Sequence, residues 1–188
     1  MALFARYRPR DDMKNPAQTL APGQPPLRKP SIRLRDPQPG DMGWVVQQHG
    51  EIYAREYGFD ASFEALVARI VADYIDKLQP EWERCWIATA DGERVGCTYV
   101  VRKSKTVAKL RLVLLTPQAR GLGLGGRMTD EAIGFARGKG YKKMVLWTQS
   151  NLIAARAIYA SRGFKLTAEE ANHNFGQDLV SETWELKL

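Results

Sequence analysis

Positions 120–126 read Arg-Gly-Leu-Gly-Leu-Gly-Gly and lead into a stretch of helical period. Backbone N–H groups without Cβ atoms around them, at the positive end of a helix dipole, form an anion site suited to phosphate. Gly121, Gly123, Gly125 and Gly126, with Leu122 and Leu124 between them, would let the chain approach a diphosphate, and Arg120 and Arg127 would add charge. Gly121, Gly123 and Gly126 also satisfy G-x-G-x-x-G, a weak dinucleotide signal when alone. A dinucleotide site wants an acidic residue for the ribose near the end of the next strand, and residues 141–151 contain none. The Lys-Ser/Thr pair of a P-loop is missing too. A turn used only for close packing is the plainer alternative, although repeated glycines at a helix start are entropically expensive. Residues 94–129 contain eight Lys/Arg and no Asp/Glu, a charge pattern that suits a polyphosphate or, more plainly, a solvated strand face.

A turn of this kind needs a strand before it and a helix after it. Residues 105–115 alternate as a long strand that Pro117 ends, and residues 122–139 carry helical spacing. Upstream, residues 31–35 form a short strand, and residues 42–57 a helix with Asp41 as N-cap and Gly58 as its stop. Residues 62–78 form a second helix, halted by Pro80. Residues 85–90 and 95–102 form a hairpin across Asp91-Gly92. Downstream come a buried strand at 143–148, a helix at 152–162 ending at Gly163, and strands near 164–167 and 179–188. The order β, α, α, β, β, β, α, β, α, β, β implies an α/β (α+β) fold. It would be a mixed central sheet of about six to seven strands flanked by about four helices.

Length and charge bound the remaining choices. At 188 residues the chain suits one core, placed at 31–188 behind a Pro/Arg-rich leader at 1–30 that is expected to be flexible. The net charge of +7 is concentrated early: residues 1–40 hold eight Lys/Arg against three Asp/Glu, leaving +2 on the other 148. A nucleic-acid partner is therefore not expected of the folded part. Cys85 and Cys97 lack metal-ligand or disulfide spacing, no apolar run is long enough to cross a bilayer, and no secretory signal is visible. A cytoplasmic protein without membrane or metal partners is expected; a homodimer stays open.

With these elements in place the sequence resembles the GNAT superfamily of acyltransferases, whose motif R/Q-x-x-G-x-G/A joins the fourth strand to the third helix. Arg120, Gly123 and Gly125 fill it, and MVLWTQ followed by AARAIYASRGF matches the second half. GDMGWVVQQHGEIYAREYGFD, AKLRLVLLTPQARGLGLG and FGQDLVSETWEL look like the acetyltransferase half of bacterial MarR-GNAT fusion proteins, without a DNA-binding half in this sequence. The resemblance implies acetyl-CoA as acyl donor, its pyrophosphate on residues 120–127 and its pantetheine on the backbone of Leu114 and Leu115. It implies direct attack by an acceptor amine in a ternary complex. Tyr159 would protonate the leaving thiolate, although a helix tyrosine is also common packing. Relatives often carry an Asn seven residues before this tyrosine; that register places Leu152 here, with Asn151 one residue early as a cofactor contact or an N-cap.

Where relatives often place a Glu in the fourth strand, this chain has Lys109 and Arg111. The base must come from elsewhere or be water. His49 and Glu56, seven residues apart on the first helix, would share a face; His173, on the loop before the last strand, is a further candidate. Lys109 and Arg111 could bind an acceptor carboxylate, which favours an amino acid or related small amine. Tyr53 would line that pocket, with Trp44, Tyr57 and Trp184 as further aromatic candidates. The expected function is acetyl-CoA-dependent N-acetylation of a small-molecule amine; the alternative is a CoA-binding or nucleic-acid-associated regulatory module without catalysis.

Overall fold

The computed structural model describes residues 30–188, so the expected leader lies outside the described residues apart from Pro30. The elements run β1 (Ile32–Arg35), α1 (Asp41–Tyr57), α2 (Ala61–Lys77), β2 (Arg84–Ala90), β3 (Glu93–Arg102) and β4 (Val107–Leu115). A 3-10 turn (Pro117–Ala119) follows, then α3 (Leu124–Gly138), β5 (Lys143–Gln149), α4 (Ile153–Ser161), β6 (Lys165–Asn174) and β7 (Gln177–Lys187). The seven strands among the described residues lie in one mixed sheet in the order β1-β2-β3-β4-β5-β7-β6; the fold class and the succession of elements along the chain are as expected. Among the described residues only β4 and β5 pair in parallel, with α3 in the connection between them.

Helices cover both faces. α1 and α2 set Val45, Ile52, Phe63 and Val67 on Cys85, Ile87, Cys97 and Tyr99 of the sheet. α3 and α4 set Ala132, Ala136 and Tyr159 on Trp86, Leu110 and Leu146. Because neither side meets water, β2 and β3 read as continuous apolar runs and not as alternating ones. Asp91 and Gly92, with φ of 50° and 93°, close the β2–β3 hairpin as the Asp-Gly pair predicts.

Three expectations change. The N-cap of α1 is Gly40; Asp41 is the first helical residue, and its buried carboxylate takes Arg35 Nη1 at 2.6 Å and the Gln38 N–H at 2.6 Å. Burial alone would raise that carboxyl, but these bonds outweigh it and hold its pKa below the usual range. β6 continues to Asn174, well past 167, and turns into β7 through Phe175 and Gly176, both at positive φ. It is an edge strand exposed along nearly its whole length, so it lacks the alternation by which a strand is recognised. His173 therefore sits within this strand and not on a loop.

The feature that matters most for function is a bulge in β4. Tyr99 pairs with Arg111 and Cys97 with Leu114, so Leu112 and Val113 stand opposite Thr98 alone, and Leu112 has φ 49°. A bulge bends its strand and strengthens the local twist. The β4–β5 pairing stops at Leu110 with Leu146, immediately before it. Beyond that point β4 pairs only with β3 and β5 only with β7, which leaves a wedge between them in the middle of the sheet.

Candidate functional site

A cavity opens on each side of this wedge. The first runs from the wedge to the glycine turn and is lined by Leu114 and Leu115 of β4, Arg120 and the turn, Ile158 of α4 and Arg162, the C-cap of that helix. The second lies under α1 and α2 and contains His49, Lys109, Arg111 and Trp147. Tyr53, Val113, Leu152, Ala155 and Tyr159 line both, so the two cavities meet at a gate formed by two tyrosines.

The glycines divide into two pairs with different tasks. Gly121 and Gly123 have φ of 77° and 71°, and a Cβ on either would meet nothing within 4 Å. They form the open curve of the turn. Gly123 also caps α3 without any side-chain hydrogen bond, so the first-turn N–H groups have no side-chain acceptor and remain available to an anion. Gly125 and Gly126 lie inside α3 and are buried. A Cβ on Gly125 would come within 2.8 Å of Ile158 Cδ1, and one on Gly126 would run into the Arg162 guanidinium. Close packing of α3 on α4, the plainer alternative for the whole turn, describes this second pair.

Arg120 lies at the same end, its Nη1 2.9 Å from Glu56 Oε2. Glu56 itself lines neither cavity. His49 and Glu56 are thus separated: one is buried at the second cavity, the other holds an arginine of the turn. Leu124 lines the first cavity, Leu122 is exposed at 51%, and Arg127 borders a neighbouring surface depression. Asn151 is exposed and lines neither cavity, and α4 is capped at Leu152 without a side-chain bond, so Asn151 does not serve as N-cap. His173 is exposed on β6, bonded to Asp178 at 2.8 Å, and lines neither cavity. Of the aromatic candidates, Tyr57 lines the first cavity, Trp44 lies under Arg94, and Trp184 packs in the α3/α4 core.

Tyr159 is 6% exposed, and its ring meets Phe164 edge-on at 5.9 Å between centroids. Burial raises its phenol pKa, which keeps the proton on Oη at any working pH. The same cause, with Tyr159 nearby, raises Tyr53. His49 is 1% exposed; its Nδ1 donates to Val45 O at 2.8 Å, and burial lowers its pKa to about 4. A carbonyl can only accept, so the Nδ1–H tautomer is set and Nε2 keeps its lone pair. Lys109 and Arg111 are half-buried and meet no carboxylate among the described residues. Burial lowers both pKa values; repulsion from Arg111 and Lys103 adds to the lowering at Lys109, and Asp73 offsets part of it at Arg111.

The His49 shift has a consequence for stability. Its folded pKa of about 4 lies below the free value of 6.5, so between these pH values the unfolded chain binds the proton and the folded one does not. The stabilisation is complete above 6.5 and is lost as pH falls through about 4. Its size is on the order of 3 kcal/mol. Urea unfolding midpoints measured from pH 7 to pH 4 should fall for the native chain and fall distinctly less for His49→Phe.

Sequence reasoning missed Ile158 and Arg162. Arg162 lies across Gly126 and is held by Asp130 at 2.9 and 3.1 Å. Both follow from Tyr159 by helical spacing, since positions 155, 158, 159 and 162 share one face of α4. An ion pair between a half-buried arginine and a buried carboxylate was also missed. Glu182 on β7 is 0% exposed and accepts from Arg156 Nε at 3.0 Å and from Trp184 Nε1 at 2.8 Å. Arg156 Nη1 reaches on to Ser150 O at 3.3 Å and so fixes the start of α4.

Comparison with known proteins agrees with this arrangement. Residues 46–164 match the model of the acetyltransferase (GNAT) family. An uncharacterized N-acetyltransferase of Schizosaccharomyces pombe is 31% identical over 136 residues, covering 71% of this chain and 80% of that protein. Spermidine N(1)-acetyltransferase of Escherichia coli is 27% identical over 143 residues, covering 74% and 75%. Among solved structures, a Salmonella typhimurium protein with its cofactor acetyl-CoA shares the fold at TM-score 0.69 and 19% identity, covering 84% of this chain and 94% of that one. A turn with free helix N–H groups, a wedge between β4 and β5 and a family match over more than half the length converge: this chain belongs to the acetyltransferase (GNAT) family.

Proposed function

We propose that this protein moves the acetyl group of acetyl-CoA to the amine of a small carboxylated molecule, an amino acid or close relative, in a ternary complex. The observation that carries the reading is the meeting of two cavities at Tyr53 and Tyr159, one leading to an anion cradle and the other to unpaired Lys109 and Arg111. The residues present fit the donor. The open curve of Gly121 and Gly123 and the uncapped N–H groups of α3 suit its pyrophosphate, and the unpaired edge of β4 at Leu114 and Leu115 suits the amides of its pantetheine. When bound, it supplies a thioester carbonyl that an uncharged amine can attack, with an amide and a thiol as products.

The chain's own residues then have three tasks. Tyr159 Oη carries a proton at the gate, where a departing sulfur needs one. An ammonium entering beside Lys109 and Arg111 loses its proton more readily, because burial and like charge disfavour it. His49 Nε2 offers a lone pair on that side, directly or through water. Glu56 acts through Arg120, which it holds beside the cradle. The kinship to the acetyltransferase half of bacterial MarR-GNAT fusions, resting on the three segments quoted above, is part of this reading.

The Escherichia coli relative is named for spermidine, a polycation. No carboxylate lines either cavity among the described residues, so we assign this chain a different acceptor. The test is thiol release from acetyl-CoA across amines with and without a carboxylate. Arg111→Ala should lower kcat/KM for carboxylated amines about 10- to 100-fold and leave uncharged amines unchanged, as loss of a charged hydrogen bond implies. Equal effects on both sets would remove Arg111 from carboxylate binding. The rival reading, a regulatory module that only binds CoA, requires acetyl-CoA binding with no thiol release from any amine.

A further inference from the structure

We infer that the acceptor carries, besides its amine and carboxylate, a bulky apolar side chain, so that large aliphatic or aromatic amino acids are the preferred class. The inference rests on the reading of the second cavity as the acceptor site. Its charged groups are confined to one wall, Lys109 and Arg111 on β4. Facing them from α2 are Phe63, Leu66, Val67 and Ile70, and Phe175 of the β6–β7 turn closes the same side. Asp73 of α2 acts on Arg111 through space, but it is exposed and already bonded to Lys77. It offers little to a second ammonium.

Phe63 and Phe175 belong to a packed aromatic cluster with Phe59, and burial in the core accounts for them. Leu66 and Ile70 are different, since they are only half-buried. Trp147 stands apart: it is 41% exposed inside the lining of the cavity, and its ring meets no other aromatic ring or cation among the described residues. An indole left open in the same lining as two cations, in a cavity without acids, is complementary to one small molecule with an anionic end and an apolar end. A polar or minimal acceptor such as glycine would leave this surface wet. Burying a large apolar side chain there is worth about 10- to 100-fold in kcat/KM.

The experiment is thiol release by the full chain from acetyl-CoA with L-phenylalanine, L-leucine, glycine, phenethylamine and spermidine. Phenylalanine or leucine should exceed glycine and phenethylamine by about 10-fold or more in kcat/KM. Trp147→Ala and Ile70→Ser, both at partly exposed positions, should shrink the ratio of phenylalanine or leucine to glycine. Glycine equal to the large amino acids, or ratios unchanged in both variants, would overturn the inference. Turnover of phenethylamine or spermidine in preference to every amino acid would overturn it too while leaving acetyl transfer standing. Silence with all five amines would overturn the transfer reading and this inference together.

Discussion

Tyr159→Phe should reduce kcat by about 10²- to 10⁴-fold while leaving the affinity for acetyl-CoA within about twofold, the range expected when a positioned proton donor is lost. The substitution removes one oxygen from a ring whose packing is otherwise unchanged: its edge-on contact with Phe164 needs no hydroxyl. Oη makes no hydrogen bond to any described residue, so no partner inside the protein is orphaned. Stability should therefore stay near that of the native chain, and a loss of rate can be assigned to chemistry. Calorimetric titration with acetyl-CoA and single-turnover thiol release separate the two quantities. An unchanged kcat would show that Tyr159 is packing and that the thiolate leaves unaided or takes its proton from water.

Arg156→Met should have the largest effect on stability. Glu182 is wholly buried, and its Oε1 has no partner, so the carboxylate depends on the Arg156 and Trp184 bonds to Oε2. Removing one member of a buried pair leaves the other charge uncompensated and costs about 3–5 kcal/mol, whereas replacing both by apolar residues is close to neutral. Against a total stability of about 5–15 kcal/mol the single change is severe. Tm should fall by roughly 6–20 °C. The double variant Arg156→Met/Glu182→Leu should regain most of it. Thermal unfolding of the four chains forms a complete cycle. If both single variants lose less than about 1 kcal/mol, water has entered beside Glu182 and the pair does not anchor α4. Since Arg156 lies three residues before Tyr159 on α4 and also holds Ser150 O, the single variant should lose activity at temperatures where it is still folded.

The expected and observed folds agree where the signal is local. Pro117 and the glycines that follow mark a strand end and a helix start because they restrict or free φ at their own positions, and no distant residue is needed. Asp91-Gly92 specifies its hairpin in the same way. β6 was legible only in its first residues, because Ala168 to Asn174 forms a strand through its pairing with β7 and buries almost nothing of its own. The family resemblance implied a splayed end to β4 near Leu114 and Leu115, but the bulge itself left no mark at Leu112; leucine avoids positive φ, and only β3 on one side and the departing β5 on the other account for it.

The same division runs through the site. Arg120 and the glycine turn announced an anion, and the helix of Tyr159 announced the family, because residue type and spacing along a single element were enough. Spacing along α1 placed His49 and Glu56 together, yet the fold buries one at the second cavity and turns the other toward Arg120. Likewise the four glycines looked equivalent until α4 arrived: Ile158 and Arg162 occupy the space that Gly125 and Gly126 leave, while Gly121 and Gly123 stay open. By itself, then, the sequence determined the order of elements, the glycine turn at the start of α3 and the place of Tyr159 on the following helix, all encoded within one strand or helix. Only the tertiary structure decided which side chains face which cavity, how Glu182 is compensated and where β4 leaves β5, since each depends on packing between elements distant in the chain.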